Sequence, residues 1–232
     1  MFPLYSDRNL SRFPFVTIIL IVINIIVFWF QLTSPGSIKQ SVWLYGVIPY
    51  EFFHPEVLNI TGRIPVSLSF FTGMFTHGGF VHLGFNMLYL WVFGRDVEDD
   101  FGHGNFLLFY VISGILSSLV FVTAFPSTQI PLVGASGAIA GLLGAYFLRF
   151  PLTKIYCLFI LFIFIRIIPI PAFFILGLWF VIQFLSCVSN VTAGAAGEGG
   201  IAWLSHIAGF VTGIVWTILV LRRRFFLRYG GH

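Results

Sequence analysis

Apolar residues run almost without interruption through six stretches of the chain, roughly 14–31, 80–94, 105–125, 136–150, 170–188 and 203–221, and the segments between them carry most of the charge. Runs of this length and character suit helices that cross a hydrocarbon layer. They predict an all-α fold: a polytopic membrane helix bundle of about six transmembrane helices, forming one integral membrane domain over 1–232. The second run is short for a span and holds polar residues in its first half. A seventh run, YCLFILFIFI at 156–165, falls short of the roughly 18 apolar residues a span needs and is expected to lie in the membrane interface. The first, FVTIILIVINIIVFWF, is longer than a signal-peptide core and has no small-residue cleavage site after it, so it reads as a retained anchor.

Composition agrees with the pattern. Of 232 residues, 58% are hydrophobic and only 9% charged, against about 25% charged in soluble domains; the mean hydropathy is +0.99. The net charge of +4 does not point to nucleic acid, because the basic residues crowd the C-terminal LRRRFFLR, where topology and anionic lipid explain them. With six spans and both termini cytoplasmic, the inner segments hold Arg8, Arg12, Arg95, Arg149, Lys154, Arg166, Arg222, Arg223, Arg224 and Arg228, and the outer ones only Lys39 and Arg63. That bias fixes the orientation. Cys157 and Cys187 lie in apolar stretches with no ligand spacing, so neither a disulfide framework nor a zinc site is expected.

Two loops stand out. The segment 32–78 is long and aromatic; either it lies partly in the outer leaflet with Trp43, Tyr45 and Tyr50 at headgroup level, or it is a packed connector. SNVTAGAAGEGG at 189–200 has little side-chain mass and reads as a mobile lid.

Polar groups at membrane depth are costly and mark function. His77, His82, Asn86, Ser136 and His206 qualify. His82 and Asn86 are four residues apart and share a helix face. Ser136 sits in PLVGASGAIAG, where Gly137 and Gly141 form one small-residue pattern; Gly209 and Gly213, after His206 in SHIAGFVTG, form another. Such patterns let two membrane helices approach closely. In the orientation set by charge, the second, fourth and sixth spans begin on the outer side, so the serine and the three histidines share one layer beneath that surface.

A serine needs a base to become a nucleophile, and histidine is the usual one. No carboxylate is placed to orient it: Glu51, Glu56 and Glu198 lie in loops, and Asp96, Glu98, Asp99 and Asp100 fall at the inner end of the second span. A Ser136–His206 dyad is expected, its imidazole oriented by packing and backbone contacts. Asn86, His82 and the Ser136 backbone N–H can supply donors to an oxyanion. GASGA lacks the second glycine of the GxSxG elbow, and HEXXH is absent. A transporter or a metal- or haem-binding bundle using His77, His82 and His206, and a non-catalytic holder of membrane helices, are the alternative readings; no cofactor or metal is expected.

In HGGFVHLGFN, GASG and SHIAGFVTG, in that order on the second, fourth and sixth helices, the chain resembles the rhomboid family of intramembrane serine proteases, over roughly residues 10–225. The resemblance implies Ser136 as nucleophile and His206 as base. It also implies Asn86, His82 and backbone N–H groups around Ala135 and Ser136 as the oxyanion site, and transmembrane protein substrates cut near their outer ends. A bacterial inner membrane fits the compact six-helix form. Two features of some members are not expected here: a Trp-Arg pair in the first outer loop, none being evident between residues 32 and 78, and a tyrosine stacking on the catalytic histidine, where Ala140 stands.

Overall fold

Polar residues in the first long helix point inward and apolar ones outward, the reverse of a soluble bundle. In α1 (Phe15–Thr33) the buried positions are Thr17, Leu20, Asn24, Phe28 and Gln31, one stripe at helical spacing, while Ile19, Val22, Ile26, Trp29 and Phe30 are exposed. Lipid exerts no hydrophobic drive between helices, so polar groups seek the interior and the apolar surface is left to the acyl chains.

The computed structural model describes residues 2–34, 36–57, 62–161, 164–192 and 201–229. Strand β1 (Phe2–Ser6) precedes α1; the short helices α2 (Ser37–Tyr45), α3 (Pro49–Phe53) and α4 (Val66–Thr72) follow it. Helix α5 (Phe80–Tyr89) continues through a π-helical turn at Leu90–Gly94 into α6 (Arg95–Phe101). Then come α7 (His103–Ala124), α8 (Ser136–Arg149), strands β2 (Lys154–Leu161) and β3 (Phe164–Pro171), α9 (Ala172–Thr192) and α10 (Ile201–Tyr229). Helices α1, α7 and α9 are each long and apolar enough to cross a membrane, and α10 carries a shorter apolar stretch, Trp203–Leu219.

Helix α8 is the centre of the bundle: every residue from Gly137 to Tyr146 is buried. Its 14 residues rise about 21 Å, less than a hydrocarbon core of about 30 Å, so its two ends cannot both reach the surface. Helix α10 packs against it backbone to backbone. A Cβ on Gly209 would strike the Gly137 carbonyl, one on Gly213 the Gly141 carbonyl, and one on Gly144 the Phe210 carbonyl. Ser113 and Ser117 of α7 fill the space beside Gly141 and Gly137 on another face.

At the end of the bundle away from Ser136, the carboxylates of α6 grip the N-terminal segment. Glu98 accepts hydrogen bonds from the Val16 and Thr17 amides and the Thr17 hydroxyl at 2.9, 2.8 and 2.6 Å, satisfying donors that the start of α1 leaves open. Asp99 accepts from the backbone of Ser11 and Arg12. Asp96, fully buried, accepts from Ser6 and from Tyr146 of α8. These acids are structural clamps.

The helical bundle carries one addition, an antiparallel sheet of order β1-β2-β3. Within the described residues, the run 156–165 belongs to β2 and the start of β3. A short apolar run such as IYCLFIL serves a strand as well as a helix. Pairing with Phe2–Ser6 and with 164–171 gives the backbone its partners, and burial of Ile155 and Cys157 anchors one face. Pro169 and Pro171 hold the residues before them extended, so α9 begins at Ala172 rather than near 170.

The segment after α1 is a packed connector built on Val47, Ile48, Val66, Phe70 and Met74, all buried, although Trp43 and Tyr45 remain exposed. Arg63 pins it, donating to Glu51 at 2.7 Å and to the Gly46 carbonyl at 2.6 Å with its guanidinium over the Trp43 ring. Of the glycine-rich segment 189–200, residues 189–192 close α9 and the rest lies outside the described residues.

Candidate active site

Ser136 is the first residue of α8. The preceding turn depends on Gly134, whose φ of +109° suits glycine and whose amide donates to the Gly73 carbonyl at 2.8 Å. A side chain there would also collide with the His82 ring, since a Cβ would lie 2.6 Å from Nε2. The amides of the first turn of α8 have no partner within the helix. They and the positive end of the helix dipole face the same space as the serine.

The glycine contacts between α8 and α10 set the next distance. They bring His206, three residues before Gly209, level with Ser136, and the Ser136 Oγ to His206 Nε2 separation is 2.9 Å. On its other side His206 Nδ1 lies 2.7 Å from Gln183 Oε1 of α9. With the amide oxygen accepting the Nδ1 proton, Nε2 is left bare to accept the serine proton. Two indoles flank the imidazole: Trp179, one turn before Gln183, at 5.9 Å, and Trp203 edge-on at 6.2 Å.

Helix α5 forms the opposite wall. His82 and Asn86 both face a pocket of about 320 Å³ that also touches Phe85, Ser136, Trp179 and His206. The Gly78 amide approaches His82 Nδ1 at 3.4 Å, which leaves the Nε2 proton directed toward the Gly134 turn. Asn86 donates one amide hydrogen to the His82 carbonyl at 2.9 Å; its second has no partner among the described residues. Behind Ser136 lies a cavity of about 10 Å³ bordered by Ser117, Ser118 and Ser205, room for about one water.

The sequence candidates divide accordingly. Ser136, His206, His82 and Asn86 converge on one pocket, and Gly137, Gly141, Gly209 and Gly213 form the seam that aligns two of them. Ala135 is fully buried and can offer the pocket only its backbone. His77 does not line the pocket: its backbone N–H and C=O are both held by the Gln31 amide at 3.0 Å, and its ring props His82 edge-on at 5.1 Å. Because His206 has both nitrogens engaged, the three histidines do not form a ligand set. Among the described residues no group of three metal-binding side chains comes together.

Gln183 is the residue that sequence reasoning missed, and a side-chain amide, rather than packing and backbone contacts alone, meets the imidazole. Its signal was present: a buried polar side chain in an otherwise apolar span. The Arg63–Trp43 contact was also hidden, because the two residues are far apart in sequence and their pairing needs the loop to fold.

A sequence model of the rhomboid domain matches residues 66–223, which include every pocket residue named above. The chain is 35% identical over 173 residues to Rhomboid protein 1, mitochondrial, of Saccharomyces cerevisiae, covering 72% of this chain and 46% of that protein. It is 30% identical over 164 residues to Rhomboid protease AarA of Providencia stuartii, covering 61% and 54%. It is 46% identical over 74 residues to Rhomboid protease GluP of Bacillus subtilis, covering 32% and 14%. These alignments thus span about half of those proteins or less. Since the match takes in most of a chain built as an apolar helical bundle, the chain belongs to the rhomboid family.

Proposed function

We propose that the chain is an intramembrane serine endopeptidase that cuts transmembrane segments of other membrane proteins near their outer ends. The observation that carries this reading is the 2.9 Å approach of Ser136 Oγ to His206 Nε2 inside a pocket that the Asn86 amide and the His82 ring also line.

The chemistry follows from the geometry. His206 Nε2 takes the hydroxyl proton as Ser136 Oγ attacks the scissile carbonyl. The carbonyl oxygen becomes an oxyanion, which the free Asn86 amide hydrogen, the His82 Nε2–H and the amides around Ala135 and Ser136 can bind. The C–N bond breaks, and the imidazolium returns its proton to the leaving amine. Water then attacks the acyl-serine, with His206 again as base; the cavity behind Ser136 is a store from which it can come. A substrate helix must unwind locally before its carbonyl can reach the serine, since a helical carbonyl is spent on its own hydrogen bond.

The same reading has six spans, with α5 and α6 forming one and α1, α7, α8, α9 and α10 the others, and both termini cytoplasmic. The charge bias supports it, as does the acid clamp of α6 holding Arg8 and the N-terminal segment at the end opposite Ser136. The compact form and the bacterial relatives favour a bacterial inner membrane; the yeast relative's mitochondrial designation makes a mitochondrial membrane the competing location. The test is cleavage of a model transmembrane substrate by the full chain in proteoliposomes. Ser136→Ala and His206→Ala should each abolish it while the fold survives, and cleavage by Ser136→Ala would overturn the reading.

A further inference from the structure

Helix α9 is mostly lipid-facing. Its buried residues among those described are Ala172, Ile175, Leu176 and Gln183, while Phe173, Phe174, Leu178, Val181, Ile182, Phe184, Leu185 and Val188 are exposed. Gln183 is the last buried position on the helix and the only polar one. An amide at that depth is unfavourable unless its hydrogen-bonding groups are met, and its oxygen is met by one group, His206 Nδ1, at 2.7 Å.

Resting on the proposed dyad, we infer that Gln183 is a positioning residue for His206, so that the working unit is a Ser136–His206–Gln183 triad assembled from α8, α10 and α9, in which no proton passes to the amide. The amide oxygen does two things. It selects the imidazole tautomer with the proton on Nδ1, the one form of neutral histidine whose Nε2 can accept the serine proton. It also fixes the ring's rotation from the Nδ1 side, whereas α8 holds the ring only through the Ser136 hydroxyl at Nε2: Ala140, one turn below Ser136, is fully buried and packs toward Gly209, too small to brace the ring. Trp179, one turn before Gln183 on the same face of α9, borders the imidazole as well. Among the described residues, the hydrogen-bond and ring contacts of His206 from outside its own helix, other than the serine, therefore come from α9.

This gives α9 a role beyond walling the pocket. Because it touches the bundle through few buried residues, its seating and the catalytic tautomer are set by the same contact. A shift of α9 that separates Gln183 from His206 frees the ring.

The experiment compares Gln183→Leu, Gln183→Met and Gln183→Glu in the full chain in proteoliposomes, reading kcat and KM for a model transmembrane substrate, thermal stability, and the rate of labelling by a fluorophosphonate. The leucine variant keeps volume without an acceptor, and the methionine variant offers only a weak thioether. They should lower kcat and the labelling rate about 10- to 100-fold, the scale seen when a metal-bound histidine loses the group that orients it, with KM and melting temperature little changed. The glutamate variant restores the acceptor and should recover activity to within about 3-fold. Equal kcat and labelling in Gln183→Leu and the parent would overturn the inference while leaving the protease reading intact. So would failure of glutamate to rescue a folded leucine-like defect. A parent chain that neither cleaves nor labels would instead sink the protease reading itself.

Discussion

Gly209 of α10 rests directly on the carbonyl oxygen of Gly137 in α8, and one turn along Gly213 repeats the contact with Gly141. The first contact lies one residue from Ser136 and three from His206, so the seam that joins the helices also sets the reach between hydroxyl and imidazole. Gly209→Ala should lower stability by about 1–3 kcal/mol through overpacking. It should reduce cleavage further than the loss of folded protein explains, because a separation beyond about 3.2 Å weakens the proton-transfer contact. Thermal melts paired with active-site titration check both; unchanged activity per folded molecule would mean that the seam does not control the dyad.

Gly134 serves the site differently. Its left-handed backbone and the closeness of His82 both exclude a side chain. Gly134→Ala should cost about 1–3 kcal/mol in strain and displace His82 or the turn that aims the first amides of α8. The expected kinetic effect is a fall in kcat of about 10²-fold, the scale of a lost oxyanion donor, with KM near its parent value. A proportional rise in KM would instead indicate a blocked pocket.

The glutamate clamp predicts the opposite division. Glu98→Ala strips the start of α1 of acceptors for Val16 and Thr17 and removes the partner of His103, whose Nδ1 is 2.6 Å from the carboxylate. Loss of such a cap should destabilise the chain by about 1–2 kcal/mol, visible as a lower melting temperature. Because the clamp lies at the end of the bundle away from Ser136, the specific activity of the folded fraction should be unchanged.

Arg63 and Glu51 form a buried ion pair, 2.7 Å apart with both side chains almost wholly covered. Burial pulls the Arg63 guanidinium below its ordinary pKa, and the Glu51 charge pulls it back. Arg63→Ala would leave Glu51 buried without its partner, a change that typically costs about 3–5 kcal/mol, here confined to the connector. Limited proteolysis should therefore reveal new cleavage within residues 46–63 while α7, α8 and α10 stay protected. Adding Glu51→Gln to the same chain should restore part of the protection.

The helical bundle was legible because lipid imposes long apolar runs, and the charge at their ends gives them an expected direction. Ser136, His206, His82 and Asn86 stood out as polar groups in those runs, and the glycines beside them indicated which helices meet. What escaped was whatever depends on a partner distant in sequence. The strands at 154–171 are apolar enough to resemble a membrane segment, and their strand character comes from pairing with each other and, for β2, with residues 2–6. Asp96, Asp99 and Glu98 gave no sign of gripping residues 6–17, because a carboxylate at a helix end suits many roles. Gln183 obeyed the same rule that marked Ser136, but a single amide has no spacing pattern, and only the fold shows that its face of α9 turns to His206.

The most direct test of the central claim is site-mapped labelling of the intact chain with a fluorophosphonate, read by mass spectrometry. The account predicts one adduct, on Ser136, lost in Ser136→Ala and strongly slowed in His206→Ala. A label on another residue, or undiminished labelling in His206→Ala, would contradict it.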